Sequence, residues 1–138
     1  MKNLDTRIYF ITDSTPYTEQ EFLDRVRSAL RGGVSLIQLR EKERSTREYI
    51  DLAHKVGALA QEFGVPLIID DRIDVALASG VQGVHLGQSD MPIKTARKIL
   101  GDDFIIGQRQ RLSSRQLKLS SRVRIISAWA LSTPRPQR

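Results

Sequence analysis

Three short apolar segments of the sequence each end in a group of charged or amide side chains. The groups are QLREK at residues 38–42, DDR at residues 70–72 and HLGQSD at residues 85–90. In folds built from parallel β-α units, binding and catalytic side chains lie just beyond the carboxyl ends of the strands. Three successive segments that end in this way favour one shared functional site over three unrelated solvated loops.

The first of these groups supplies positive charge. If residues 38–42 continue as extended chain, alternation places Gln38, Arg40 and Lys42 on one side of it. An arginine and a lysine at the mouth of a barrel suit a phosphate or pyrophosphate, because a guanidinium binds two oxygens at once. An ordinary solvated loop is the alternative interpretation of Arg40, Glu41 and Lys42.

The other two groups supply carboxylates. Asp71 and Asp90 follow neighbouring segments, so their side chains could share a hard cation, and two carboxylates with substrate phosphate oxygens are a common way to hold Mg²⁺. The alternative for Asp70 and Asp71 is that they cap the short helix that follows them. His85 is interpreted as a structural hydrogen-bonding residue.

The segments that position these groups alternate between strands and helices. Strands are predicted at residues 7–12, 34–40, 65–69, 83–86 and 104–106. Helices are predicted from a Thr18/Glu21 capping box to Arg31, from a cap at Ser45 or Thr46 to about Phe63, and at residues 74–79 and 92–100. Apolar strands separated by helices indicate parallel β-α units, arranged as a doubly wound sheet or as part of a (β/α)₈ TIM barrel. The segment FITDSTPY contains no glycine, which argues against a dinucleotide-binding turn after the first strand.

Three segments resemble the signature segments of the thiamine phosphate synthase family. They are QLREK at residues 38–42, LIIDDRIDVALA at residues 67–78 and GVHLGQSDMP at residues 83–92. Their order and spacing agree over residues 7–107, about half of that family's barrel. The resemblance therefore implies an α/β fold, a partial (β/α)₈ TIM barrel with strands 1–5 and the helices between them.

The resemblance also implies a role for each candidate residue. Gln38, Arg40 and Lys42 would contact a pyrimidine pyrophosphate, and Asp71 and Asp90 would be ligands of a Mg²⁺ cofactor. Asp70 is a further substrate-binding candidate, since it stands where the family often has an asparagine that touches the pyrophosphate.

The family's reaction joins hydroxymethylpyrimidine pyrophosphate to a thiazole phosphate, which gives thiamine phosphate and pyrophosphate in thiamine biosynthesis. The expected partners are therefore these two small molecules. No protein nucleophile is required, which suits a site without cysteine or an activated serine. A thiazole tautomerase-like relative shares the barrel and is the alternative, although the Asp71/Asp90 pair and QLREK favour the synthase.

Composition places the chain in an ordinary class. The 138 residues are 40% hydrophobic and 28% charged, as in globular proteins, and the absence of cysteine excludes disulfides and thiolate-bound metals. The sequence shows neither a signal-peptide pattern nor an apolar run of membrane-spanning length, so we expect a cytoplasmic protein with no membrane partner.

Charge divides the chain into two unlike segments. Residues 1–107 carry 14 Lys and Arg against 16 Asp and Glu, whereas residues 108–138 carry 8 Lys and Arg and no acidic residue. The predicted organisation is a half barrel at residues 1–107 and a basic tail at residues 108–138 that is disordered or poorly structured. Nucleic-acid binding through this tail is a non-enzymatic alternative, but Trp129 is its one aromatic residue, so nucleic acid is not the expected partner.

The sequence of the tail also suggests how it arose. When its codons are shifted by one base, residues 111–138 can encode a segment that resembles the family's next β-α unit, including its thiazole-phosphate loop. We therefore hypothesise that the tail is this unit read out of frame, through either a frameshift in the gene or a sequencing error. A half barrel without that loop is expected to have little or no activity.

Overall fold

A computed structural model describes residues 4–87, 91–108 and 125–127, in which strands and helices alternate. The strands are β1 (Tyr9–Ile11), β2 (Leu36–Leu39), β3 (Leu67–Asp70), β4 (Gly83–Leu86), β5 (Ile105–Gln108) and β6 (Ile125–Ser127). The helices are α1 (Glu19–Arg31), α2 (Thr46–Glu62), α3 (Ile73–Ser79) and α4 (Ile93–Leu100). The predicted α/β class is confirmed, and every predicted helix and strand is present with small shifts of its ends.

The six strands form one parallel sheet in the order β1-β2-β3-β4-β5-β6. Each strand pairs with the one that precedes it in the chain, so the sheet winds in a single direction. A doubly wound sheet reverses its strand order near the middle, whereas a TIM barrel does not. The order therefore decides between the two architectures that the sequence left open, in favour of the barrel type.

Strands β2, β3 and β4 are buried on both faces, as their continuous apolar runs predict. One face packs against the helices through Ile37, Leu39, Ile69, Val84 and Ile106. Alternate residues on the opposite face form a smaller cluster of Leu36, Ile68 and Ile105, against which Tyr9 packs. The second face is the barrel interior, and it becomes polar toward the carboxyl ends of the strands, where Gln38, Asp70 and His85 are also buried.

The two longest helices begin at the capping boxes that the sequence predicts. At α1 the Thr18 hydroxyl accepts a hydrogen bond from the Glu21 amide, and the Glu21 carboxylate accepts one from the Thr18 amide. Ser45 and Glu48 form the same reciprocal pair at α2, so Ser45 rather than Thr46 is the cap. Each box satisfies two backbone groups that the first turn leaves unpaired.

The start of α3 excludes one alternative for the paired aspartates. Arg72 is its N-cap residue and makes no side-chain capping hydrogen bond, while Asp70 is the last residue of β3. Neither Asp70 nor Asp71 is therefore the N-cap residue of α3.

Several predictions made from the sequence fall partly outside the described residues. Asp90, the second predicted ligand of Mg²⁺, lies outside the described residues. The predicted disorder of residues 108–138 also lies outside them, except at Gln108 and β6. β6 pairs in parallel with β5, with Ile126 opposite Gly107. Among the residues that are described, no helix is both long and apolar enough to cross a membrane.

Candidate functional site

Four of the candidate residues meet where β2 and β3 end. The Lys42 ammonium donates hydrogen bonds to Asp70 Oδ2 at 2.7 Å and to Asp71 Oδ2. The Arg40 Nε atom lies 3.7 Å from the same Asp70 oxygen. The two strands pair in register through Leu39 and Ile69, which brings the residues that follow them to one edge of the sheet. The arrangement is an ion-pair cluster of two cations and two carboxylates.

Gln38 lies one step deeper in the barrel than Arg40. Its side chain is buried, and its amide nitrogen donates a hydrogen bond to the Tyr9 hydroxyl. Burial raises the pKa of Tyr9, so this phenol is neutral at physiological pH. Gln38 therefore presents a neutral, oriented amide beneath the charged cluster.

Asp70 is the fixed centre of the cluster, because it is 3% exposed and has a partner on each oxygen. His85 Nδ1 lies 3.2 Å from Asp70 Oδ1, and Lys42 holds Oδ2. Burial alone would raise the pKa of Asp70, but the hydrogen bonds from His85 and Lys42 outweigh it and hold the pKa below its usual value. A buried negative charge therefore lies beneath the cations at neutral pH.

His85 has the structural role that the sequence suggested, since it pairs with Asp70 and is itself buried. A carboxylate only accepts hydrogen bonds, so the geometry assigns the proton to Nδ1. The Nε2 atom has no hydrogen-bond partner within the described part of the chain.

Asp71 has an unusual backbone. Its φ of 66° lies in the left-handed region, which costs a residue with a Cβ atom roughly 1–2 kcal/mol. The Asp71 amide donates a hydrogen bond of 2.7 Å to the His85 carbonyl, and this contact joins the ends of β3 and β4. Backbone strain of this kind concentrates at functional sites, where the surrounding structure enforces it.

Tyr49 supports the site from the helical layer, and the sequence analysis did not identify it. Its buried hydroxyl lies 2.8 Å from the Leu39 carbonyl and 3.1 Å from the Asp70 carbonyl, so it links the ends of β2 and β3. In the sequence, Tyr49 could have been identified by its position on the apolar face of α2, one turn before Ala53. The neighbouring Ile50, which starts the simplest apolar rhythm, is only half-buried.

Glu41 is the second supporting residue that sequence reasoning missed. It stands between the two cations of QLREK but faces away from them, and its side chain is 5% exposed. Glu41 Oε1 accepts hydrogen bonds from the Ser14 hydroxyl and from Arg44 Nε, both at 2.7 Å. Glu41 therefore ties the β1–α1 loop to the β2–α2 loop and fixes the backbone from which Arg40 and Lys42 project. In the sequence, the position of an acidic residue between two basic ones in QLREK could have identified Glu41.

Replacing this carboxylate tests that role. We expect Glu41→Gln to lower the free energy of unfolding by about 1–2 kcal/mol, because the amide oxygen can still accept the hydrogen bond from Arg44 but no longer carries the charge that strengthens it. Urea denaturation at neutral pH measures the change. The exposed neighbour Glu43 provides the matched control, since Glu43→Gln alters no buried contact and should leave stability unchanged. Equal effects of the two substitutions on the free energy of unfolding would contradict this role of Glu41.

The cluster offers the chemistry of a magnesium site. Mg²⁺ prefers oxygen ligands and binds through one or two carboxylates, with waters and phosphate oxygens completing its shell. The carboxylates of Asp70 and Asp71 already converge on one cation, the Lys42 ammonium. No group of three or more His, Cys, Asp or Glu side chains suited to a metal occurs in the described ranges, which exclude Asp90. The donors that are described thus fit a cation held partly by substrate.

A cleft of about 480 Å³ opens beside the cluster, between the β1–α1 and β2–α2 loops. Arg40 and Lys42 line one side of it, and Thr12 and Tyr17 belong to the other. The hydroxyl of Thr12 accepts a hydrogen bond of 3.2 Å from the Arg40 amide. This bond holds the backbone of Arg40 in place where the cleft meets the cluster. There is therefore room for a ligand next to the two cations.

Comparisons with known proteins agree on one family. Residues 8–117 match the family model described as thiamine monophosphate synthase. A thiamine-phosphate synthase of Methanobrevibacter smithii is 50% identical over 107 residues, which are 78% of this chain and 51% of the relative. Another, of Desulfitobacterium hafniense, is 51% identical over 104 residues, which are 75% of this chain and 50% of the relative.

A solved structure shows the same similarity in three dimensions. The thiamine phosphate pyrophosphorylase of Pyrococcus furiosus superposes with a TM-score of 0.69 at 39% identity, over 76% of this chain and 50% of its own. The chain thus spans about half the length of the curated relatives and of the solved structure that it matches.

Proposed function

Because the chain belongs to the thiamine monophosphate synthase family, we propose that its strand-end cluster binds hydroxymethylpyrimidine pyrophosphate together with Mg²⁺. The site would be part of a transferase that joins this pyrimidine to a thiazole phosphate. The names of the matched relatives, thiamine-phosphate synthases, favour this activity over that of a thiazole tautomerase-like protein. A cytoplasmic location stays a prediction.

One observation carries the proposal, which is the convergence of Arg40, Lys42, Asp70 and Asp71 at the ends of β2 and β3. A guanidinium and an ammonium at one edge of the sheet suit the oxygens of a pyrophosphate. In this proposal Asp71, with Asp90 from the next strand end, would hold Mg²⁺. Gln38 and Asp70 would complete the substrate contacts.

The proposed reaction breaks the bond between the methylene carbon of the pyrimidine and the pyrophosphate oxygen, which leaves with the electron pair. The electron-rich ring tolerates the positive charge on that carbon, and the thiazole nitrogen then supplies the pair for the new C–N bond. Arg40 and Lys42 would stabilise the charge that grows on the departing pyrophosphate. Bound Mg²⁺ supplies further neutralisation of that charge. No protein nucleophile takes part.

Calorimetric titration of the full chain with inorganic pyrophosphate tests the proposal, with and without MgCl₂. We expect saturable binding that depends on Mg²⁺, and about a 10- to 100-fold loss of affinity in Arg40→Ala, because a charged hydrogen-bond donor is removed. Arg47, exposed on α2, is the matched control, and Arg47→Ala should bind as the unmodified chain does. Absence of Mg²⁺-dependent binding, or the same loss in both variants, would refute the proposed site.

A further inference from the structure

We infer that Asp70 makes this site select the magnesium complex of pyrophosphate over the free anion, because its buried carboxylate holds Lys42 in an ion pair and repels the free anion. The inference rests on the proposed function and adds a specificity-determining role for one residue. Its basis is the set of contacts that Asp70 makes with Lys42, Arg40 and His85.

Lys42 is engaged by the protein's own carboxylates. Its ammonium has three N–H groups, and it donates to both Asp70 Oδ2 and Asp71 Oδ2. These bonds engage two of the three N–H groups, so a pyrophosphate that takes more than one donor from Lys42 must displace a carboxylate.

Asp70 is the stronger of these two competitors. Its side chain is 3% exposed, whereas that of Asp71 is 32% exposed, so water screens the charge of Asp70 much less. Its second oxygen is paired with His85, which prevents the carboxylate from turning away. The same buried charge also lies 3.7 Å from Arg40 Nε, the other cation proposed to bind pyrophosphate.

The charges of the cluster explain why a bound metal would change its affinity for pyrophosphate. Two cations, Arg40 and Lys42, face two carboxylates, Asp70 and Asp71, so the group is balanced and attracts a free polyanion weakly. A divalent cation held by Asp71 would make the group net positive. It would also take Asp71 from Lys42, which leaves that N–H group for the phosphate oxygens, and its charge would offset that of Asp70.

The isosteric variant Asp70→Asn separates this role from an ordinary substrate contact. An amide keeps the shape and can still accept a hydrogen bond, but it carries no charge. We expect the affinity for inorganic pyrophosphate in EDTA to rise about tenfold, with a smaller change in MgCl₂. The ratio of the two dissociation constants should therefore shrink, as calorimetry of the full chain can measure.

Asp74→Asn is the matched control, because Asp74 is exposed on α3 and pairs with Arg72 rather than with Lys42. It should leave the ratio unchanged. If Asp70→Asn also leaves the ratio unchanged, or weakens binding equally in both conditions, the inference is wrong while Mg²⁺-dependent binding by the unmodified chain still supports the proposed function. If the unmodified chain does not bind pyrophosphate with Mg²⁺, both fail.

A measurement on the unmodified chain does not depend on how the variant folds. Addition of Mg²⁺ without pyrophosphate should shift the side-chain ammonium signal of Lys42 in an NMR spectrum, because the ion takes Asp71 from it. Lys55, which pairs with Glu19 and Asp51 on the helical surface, should show no shift. An unchanged Lys42 signal at saturating Mg²⁺ would overturn the inference.

Discussion

The Gly83→Ala variant is expected to lose roughly 3 kcal/mol of folding free energy or more, the largest effect on stability of any substitution considered. A Cβ atom at Gly83 would lie 2.4 Å from the Ile105 carbonyl oxygen, 2.6 Å from Ile105 Cβ and 2.8 Å from Ile68 Cγ2. The first contact involves backbone, so rotation of a side chain cannot relieve it. β4 and β5 would have to move apart, which would weaken the pairing that also carries His85.

Gly57→Ala is the control, because it makes the same substitution in open packing. The new methyl group would meet its nearest neighbour, Leu67 Cδ2, at 3.8 Å, an ordinary contact. Alanine is favoured over glycine within a helix such as α2, so this variant should gain about 0.5–1 kcal/mol. Urea denaturation of both variants measures the difference. A Gly83→Ala protein as stable as the unmodified chain would show that the strands do not pack as described.

The Lys42→Met variant is expected to lose about 100-fold in affinity for pyrophosphate in the presence of Mg²⁺, the largest effect on binding. Methionine keeps much of the aliphatic length of lysine but removes the ammonium, so charged hydrogen bonds to the phosphate oxygens are lost. It also leaves the buried Asp70 with one fewer cation, which raises the repulsion felt by the anion. Calorimetric titration with pyrophosphate in MgCl₂ measures the loss.

The same substitution at Lys55 provides the comparison. Lys55 forms exposed ion pairs with Glu19 of α1 and Asp51 of α2, and Lys55→Met should bind pyrophosphate as the unmodified chain does. If Lys42→Met binds equally well, then Lys42 is only an internal counter-ion of Asp70 and Asp71. The assignment of a pyrophosphate contact to it would be wrong.

The sequence by itself determined the features that depend on neighbouring residues. The capping boxes at Thr18 and Ser45 are predictable because each satisfies its own first turn within three residues. The apolar runs of β2 and β3 are predictable because strands buried on both faces carry continuous hydrophobic sequence. For the same local reason, the alternation along QLREK predicted that Arg40 and Lys42 project together, and both lie beside Asp70.

The strand order and the pairing within the cluster were decided only by the tertiary structure. Lys42 meets Asp70 across 28 residues of sequence, and this contact depends on the register between β2 and β3, which no local pattern states. Tyr49 became a link between strand ends because α2 packs over them, and its sequence position shows only an apolar face.

The positive φ of Asp71 accompanies a hydrogen bond from its amide to the His85 carbonyl, a contact between strands that no local pattern states. The sequence therefore identified which groups could form a pyrophosphate site at the strand ends. The packing of the strands decided that one of these groups, Asp70, is buried and holds another, Lys42, because charge and burial act through neighbours in space.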